Sequence, residues 1–185
     1  LNYTLDKEKI VSVTPSFLGA DPADSPLLGP HLHRPLAGAE DLGRELFRSL
    51  GEKTGTALIS DSAPVDISSG NRPFLTEGAK PMHLLDLWRG TFDGEMAITL
   101  RDMQENAERI LGISEKKLKN LAFSVKPKGL KIDCMNSDQH EIIRNLFNVY
   151  LDRLPEEVAN QQKKVLEDDL KNITFAWAGS PEKYN

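Results

Sequence analysis

Alternating apolar and polar positions mark both ends of the chain. Near the start, three apolar residues alternate with polar ones: Leu1, Tyr3 and Leu5. Near the end, three more alternate strictly: Ile173, Phe175 and Trp177. A period of two places every second side chain on one face of a strand, so this pattern predicts a hairpin over residues 1–18 and a half-buried strand over 173–177. We expect the first and last strands to meet in one antiparallel sheet.

Between these strands the apolar residues change to a helical period, mostly in the second half of the chain. Stripes with this period predict helices over 39–50, 100–111, 114–122, 136–150 and 155–170, the last with Pro155 as its first residue. Ser114 and Asn136 are predicted N-caps, and Gln139 completes a capping box with Asn136. The segments 19–38 and 61–81 are rich in proline and glycine and are predicted surface loops. The predicted fold class is α+β, with antiparallel strands from the two chain ends and a mainly helical second half.

Length, composition and charge narrow the class of protein. The chain has 185 residues, of which 39% are hydrophobic and 28% charged, and this usage argues against disorder. We predict a single domain over residues 1–185, with 83–128 as a candidate helical insertion. No stretch reaches the roughly 18 consecutive apolar residues that a membrane helix needs. The net charge of −5 argues against a nucleic-acid partner, because phosphate binding needs a basic surface.

The chain lacks the familiar local motifs of catalysis. It contains no glycine-rich phosphate loop, no dinucleotide fingerprint, no GxSxG serine motif and no HExxH zinc motif. Its one cysteine, Cys134, excludes an internal disulfide and is interpreted as a small buried hydrophobic residue. His83 is interpreted as a partly buried structural histidine, and His140 as a solvated one.

The sharpest candidate for chemistry is the pair of His31 and His33. In extended backbone the side chains of residues i and i+2 point to the same side, so the two imidazoles could share a divalent metal ion. A metal site needs a further ligand, and Asp21, Asp24 or a more distant carboxylate would supply it. The alternative interpretation is a pair of exposed loop histidines.

Several short phrases along the chain suggest a family. They are LNYT at 1–4, IVSVTPSFLGADPA at 10–23, RPLA at 34–37, ISD at 59–61, APVDI at 63–67 and FAWAG at 175–179. In this order they resemble the domain-of-unknown-function family numbered 3500. The resemblance runs from end to end, is strongest over 1–71 and 137–179, and leaves 83–128 unmatched.

The resemblance implies that the chain is the middle of a larger domain. A paired-histidine segment would come before Leu1, and a strand-rich segment with histidines would follow Asn185, so most metal ligands would lie outside this chain. It implies no histidines at positions 31 and 33, which weakens the metal interpretation of that pair. Arg34 and Asp66 stand within family phrases and are the candidate binding residues. Their structural alternatives are a loop brace and a turn cap.

Two functions fit these observations. The first is a metal-assisted enzyme whose site is completed by segments outside this chain, and the implied histidine-bearing flanks favour it. The second is a non-catalytic extracytoplasmic binding or interaction domain, with the proline-rich and glycine-rich loops as its contact surface. Either function allows a small-molecule ligand or a partner chain. Sequons at Asn2 and Asn172 would carry glycans only in a secreted eukaryotic protein, and a secreted or periplasmic location stays open.

Overall fold

The structure, a computed structural model, describes residues 2–14, 24–25, 33–63, 72, 74–83, 85 and 92–182. The helices in these residues are α1 (Ala37–Ser49), α2 (Thr54–Ala57), α3 (Gly94–Ile110), α4 (Glu115–Leu121), α5 (Ser137–Leu151) and α6 (Glu156–Asp169). The strands are β1 (Asn2–Asp6), β2 (Lys9–Thr14), β3 (Leu58–Ser60), β4 (Leu130–Lys131), β5 (Thr174–Phe175) and β6 (Trp177–Ala178). The predicted α+β class with a mainly helical second half is confirmed.

The described strands form separate two-stranded sheets, in which β1 pairs with β2, β3 with β6, and β4 with β5. The prediction that the first and last strands share one sheet is therefore wrong. A two-residue turn joins β1 to β2, and such local pairing has a small loop-closure cost, so these strands pair with each other. The closing alternation is interrupted at Ala176, and its two halves take different partners.

The chain divides into two compact units. Unit 1 comprises Leu1–Leu18, Ile59–Pro127 and Ala178–Ser180, and unit 2 comprises Gly19–Leu58, Lys128–Trp177 and Pro181–Asn185. In the range 83–128 the structure describes α3 and α4. The interpretation of this range as an insertion into one domain stays a prediction.

An apolar core holds unit 2 together. Its buried residues come from α1, α2, β4, the turn after β4, and α5: Leu46, Phe47, Leu50, Ala57, Leu130, Ile132, Met135 and Ile143. Partly buried Phe175 and Trp177 pack against this core, and the rings of Phe47 and Trp177 lie 5.4 Å apart. The predicted helical stripes thus supply the facing sides of α1 and α5, whose burial is the main favourable term in folding.

A buried polar side chain, that of Gln139, adds hydrogen bonds to the apolar contact between α5 and α1. Asn136 Oδ1 accepts a hydrogen bond from the Gln139 backbone N at 2.9 Å, and Gln139 Oε1 accepts one from the Asn136 backbone N at 3.0 Å. This geometry confirms the predicted capping box. Gln139 Nε2 also donates to the carbonyl oxygen of Ser49 at 2.8 Å. The N-terminus of α5 is thereby tied to the C-terminus of α1.

Candidate functional site

Arg34 lies just before α1, and carboxylates surround its guanidinium group. Its Nη1 and Nη2 donate to the two carboxylate oxygens of Asp41, at 2.9 and 2.8 Å, which makes a bidentate pair. Nη2 also donates to Glu40 Oε2 at 2.9 Å, and Nε lies 3.1 Å from Asp24 Oδ1. The hydrogen bonds that Arg34 donates to Asp41, and then to Glu40, raise the pKa of Arg34 above its ordinary value. Arg34 therefore links the preceding loop to the first turn of α1.

Glu40 extends this network toward the core of unit 2. Its Oε1 accepts a hydrogen bond from Arg44 Nε at 3.2 Å, one helical turn further along α1. The guanidinium of Arg44 in turn lies 5.6 Å from the centre of the Trp177 ring, within the range of a cation–π contact. Glu40 is also an acidic residue in a helical first turn, where the helix dipole favours negative charge. We refer to Asp24, Arg34, Glu40, Asp41 and Arg44 as the Arg34 cluster.

The residues next to Arg34 close the base of the segment 26–32. Ser25 N donates to the His33 carbonyl oxygen at 2.9 Å, and His33 N donates to the Ser25 carbonyl oxygen at 2.8 Å. This antiparallel bridge and the neighbouring Asp24–Arg34 ion pair hold the two ends of the segment together. His33 itself is exposed. His31, its predicted partner in a metal site, lies outside the described residues.

Lysine in place of Arg34 is expected to loosen this loop base. An ammonium group cannot make the bidentate pair with Asp41 while also bonding Glu40. Chymotryptic cleavage within residues 26–32 should become several-fold faster, with little change in melting temperature. Timed digestion followed by mass spectrometry measures the rate. The control is Arg101→Lys, the same change at an exposed arginine of α3, and equal rates in the two variants would contradict the bracing role.

The remaining predicted site residues are only partly placed. His31, Asp21 and Asp66 lie outside the described residues. Among the residues that the structure describes, no three His, Cys, Asp or Glu side chains are grouped as a metal site requires. Asp24, suggested as a third ligand, is in the ion pair with Arg34. The metal assignment of His31 and His33 and the binding assignment of Arg34 and Asp66 therefore stay predictions.

The other histidines and the cysteine have mainly structural surroundings. His83 is half-buried, and its Nδ1 accepts a hydrogen bond from Leu85 N at 3.1 Å, as the structural interpretation expects. His140 is half-buried rather than solvated, because its Nε2 donates to the Ile132 carbonyl oxygen at 2.9 Å. Cys134 is exposed, so its interpretation as a buried residue is wrong. In the short turn Ile132–Cys134, the buried side chain is that of Ile132, which is 1% exposed.

A second polar cluster, which the sequence analysis missed, surrounds Lys117 in α4. Lys117 Nζ lies 2.7 Å from Asp61 Oδ1, and it donates to Ser62 Oγ at 2.9 Å and to the Gly112 carbonyl oxygen at 2.8 Å. These three acceptors match the three donors of an ammonium group. The hydrogen bond from Lys117 lowers the pKa of Asp61 below its ordinary value. Asp61 closes the family phrase ISD, which is the one sequence signal that marks this cluster.

The stability difference between the wild-type protein and Asp61→Asn is expected to depend on pH. Because the folded-state pKa of Asp61 lies below its ordinary value of 3.8, the ionised form stabilises the fold at any pH above that value. As the pH falls through the lowered pKa, Asp61 is protonated and this contribution is lost. The wild-type protein should be more stable at neutral pH, and the two proteins should converge in acid.

Urea titrations at a series of pH values measure this difference. Asp168→Asn, at an exposed carboxylate of α6, is the matched control. If Asp61→Asn lowers the free energy of unfolding by the same amount at neutral and at acidic pH, the ion pair with Lys117 is not the cause of the loss.

The β1–β2 hairpin turns its apolar face outward. Leu5 pairs with Ile10, and Tyr3 lies two residues from Leu5, so these three side chains share one face. They are 57% (Tyr3), 64% (Leu5) and 60% (Ile10) exposed. Thr4 and Ser12 pair with each other on the opposite face, and both are half-buried, whereas the Asp6–Lys9 pair at the turn end of that face is exposed. An antiparallel sheet with one solvated face normally shows the reverse, with apolar residues inside.

These features define an α+β protein with a mainly helical second half, an arginine cluster at the start of α1 and an outward apolar hairpin. Of the helices that the structure describes, none has both the length and the apolar character to cross a membrane. The chain belongs to the family described as Protein of unknown function (DUF3500), whose model matches residues 1–185. This match confirms the resemblance found in the sequence. No curated protein and no solved structure matched the chain.

Proposed function

We propose that the chain is a non-catalytic binding or interaction domain, and that the apolar face of the β1–β2 hairpin contacts its partner. The observation that carries this proposal is the reversed burial of the hairpin, with Tyr3, Leu5 and Ile10 outward and the Thr4–Ser12 pair inward. The partner that fits this face is a protein with an apolar surface. The Arg34 cluster then serves as a brace, because the guanidinium of Arg34 is bound by carboxylates of its own chain.

The energetics of the hairpin support a partner. Covering one large aliphatic side chain contributes about 1.5–3 kcal/mol, so Leu5 and Ile10 offer a substantial gain on binding. An isolated two-stranded hairpin is at best marginally stable. The turn adds strain, since Lys7 and Glu8 have φ values of 45° and 69°, a region that favours glycine. A contact that covers the apolar face would offset both disadvantages.

Site-specific photocrosslinking tests this proposal. A benzophenone amino acid is placed at position 5, on the apolar face, and in a matched protein at position 9, on the opposite face of the same hairpin. We expect adducts with a partner protein only from position 5. The purified partner should bind the wild-type chain, and Ile10→Ser should weaken binding about tenfold or more. Because Ile10 is exposed, the melting temperature should change little.

Two results would contradict the hairpin as contact surface. The first is equal crosslinking from positions 5 and 9, or none from either. The second is an unchanged dissociation constant for Ile10→Ser. As a further control, Ile98→Ser makes the same kind of change at an exposed apolar residue of α3, and it should leave the dissociation constant unaltered.

The second candidate function is a metal-assisted enzyme whose centre is completed by segments outside this chain. The feature that favours it is the spacing of His31 and His33, since two histidines at positions i and i+2 can share a divalent ion. Calorimetric titration with zinc, copper and iron ions tests it. Binding that is lost in His31→Ala and in His33→Ala, but kept in His83→Gln, supports a metal site at the pair. A folded wild-type protein that binds none of the three ions would contradict it.

A nucleic-acid partner is not part of this proposal. The chain carries a net charge of −5, and Asp61 and Glu115 neutralise Lys117 and Lys80. Non-specific binding to DNA or RNA depends on lysine and arginine contacts to phosphates. We therefore expect no retention of either nucleic acid at physiological salt.

A further inference from the structure

Helix α3 carries an apolar stripe that faces solvent. Met96, Met103 and Ile110 follow one another at intervals of seven residues, close to two helical turns, so they lie along one side of the helix. They are 55%, 55% and 70% exposed. At 1.5 Å per residue the stripe is about 21 Å long. Neighbouring members are about 10.5 Å apart along the helix, with Thr99 and Asn106 between them. Large apolar side chains aligned on one exposed side of a helix mark a candidate interaction site.

The face of α3 that points into unit 1 is a different one. Its buried and half-buried residues are Ala97, Leu100, Gln104, Ala107 and Glu108. At about 100° per residue, the centre of this face lies roughly a quarter-turn from the stripe. Two of its members are polar, and Gln104 Nε2 donates to Glu108 Oε1 at 2.7 Å. The helix thus buries part of its polar surface while the stripe stays exposed.

The charges of the polar residues beside the stripe are ordered so that they complement a second α3 running in the opposite direction. In chain order they are Glu95, Thr99, Asp102, Asn106 and Arg109. A second α3 placed antiparallel, with the two-fold axis at Met103, brings Glu95 beside Arg109 of the second copy, and two-fold symmetry repeats this pair. In a parallel two-fold pair these flanks would lie on opposite sides of the interface, so Glu95 and Arg109 would have no partner in the second copy. Charge order along the helix therefore selects the antiparallel arrangement.

We propose that α3 is a self-association surface, on which a second copy of this chain binds antiparallel through Met96, Met103 and Ile110. In this arrangement Met96 packs beside Ile110 of the second copy, and the two Met103 side chains meet at the axis. Asp102 comes near its own copy at the centre, and this like-charge contact keeps the dimer reversible. The proposal rests on α3 alone, so it stands or falls independently of the hairpin.

Sedimentation equilibrium over rising protein concentration tests the proposal. The mean mass should rise from the 20.6 kDa of one chain toward twice that value. Met103→Lys should weaken association about tenfold or more, because two ammonium groups would face each other at the axis. Ile98→Lys is the matched control, since Ile98 is 57% exposed but lies about 140° around α3 from Met103. Asp102→Asn should strengthen association.

Charge reversal separates pairing between copies from damage to the helix. Glu95→Arg and Arg109→Glu should each weaken association, and the double variant should restore it. Each reversal opposes the helix dipole, so within one helix the two effects add rather than cancel. Rescue in the double variant can therefore come only from the pairs between copies.

Disulfide trapping gives a second readout. Met103→Cys in a Cys134→Ser background should form a disulfide-linked dimer under mild oxidation, whereas Ile98→Cys in the same background should not. A wild-type chain that stays monomeric at every concentration would overturn the proposal. Equal weakening by Met103→Lys and Ile98→Lys, or no rescue in the Glu95→Arg and Arg109→Glu double variant, would overturn it as well.

Discussion

Alanine in place of Gly129 is expected to lower the free energy of unfolding by about 3 kcal/mol or more. Gly129 has φ +103°, and a Cβ atom there would lie 2.2 Å from the carbonyl oxygen of Phe175 and 2.8 Å from its carbonyl carbon. Both atoms belong to the backbone of β5, so no side chain can move aside. Relief of the clash must separate Leu130 from Phe175, which pair across β4 and β5.

Two other glycines divide this effect into its causes. Gly179 has φ +104° but no neighbour near a Cβ atom, so Gly179→Ala measures the cost of the backbone conformation alone. Gly55 lies in α2, also without a near neighbour, and alanine there should stabilise by about 0.5–1 kcal/mol. Urea unfolding followed by circular dichroism measures all three variants. Equal losses for Gly129→Ala and Gly179→Ala would show that the close approach to Phe175 does not matter.

Glutamate in place of Gln139 is expected to lower the free energy of unfolding by about 2–4 kcal/mol at neutral pH and by less in acid. Gln139 is 5% exposed, and its Nε2 donates to the Ser49 carbonyl oxygen. An ionised carboxylate has no hydrogen to donate, so two acceptors would face each other in a buried place. The helix dipole favours a negative charge at this end of α5, but by only about 1 kcal/mol or less, which does not offset the loss.

The pH dependence of this variant follows from the same contact. Burial and the facing Ser49 carbonyl favour the protonated acid, so the pKa of Glu at position 139 should be higher in the folded than in the unfolded state. The deficit relative to wild type should then grow as pH rises above the unfolded value of about 4.3 and level off above the raised pKa. Urea titrations across pH measure this. The control is Gln162→Glu, at an exposed site in α6. A loss of unfolding free energy in Gln139→Glu that is as large in acid as at neutral pH would contradict this explanation.

The helices were predictable because their signals are local. Ser114 and Asn136 are N-caps in the structure as predicted, and Gln139 completes the capping box. Caps and apolar stripes depend on residues only a few positions apart, so they can be read without knowledge of the fold. The reach of Gln139 to Ser49 was not predictable, since it depends on how α5 packs against α1.

The candidate site was predictable only in part. Arg34 was chosen because it stands in a family phrase, and a loop brace was kept as its alternative. Its carboxylate partners became clear only when the structure placed Asp24, Glu40 and Asp41 around one guanidinium. The Lys117–Asp61 pair was missed because its members are far apart in the chain.

By itself, the sequence determined the α+β class, the N-caps at Ser114 and Asn136 and the family, because period, caps and phrases are properties of neighbouring residues. The start of α3 was not determined: its apolar stripe predicted a helix from residue 100, whereas the helix begins at Gly94. The tertiary structure alone decided the partners of β5 and β6, the contact that makes Gly129 hard to replace, and the outward faces of the hairpin and of α3. These depend on which distant backbone or side chain a residue meets. A strand with alternating residues or a helix with an apolar stripe can turn its apolar face toward the core or toward solvent. Only the packing of the folded chain decides which direction the face takes.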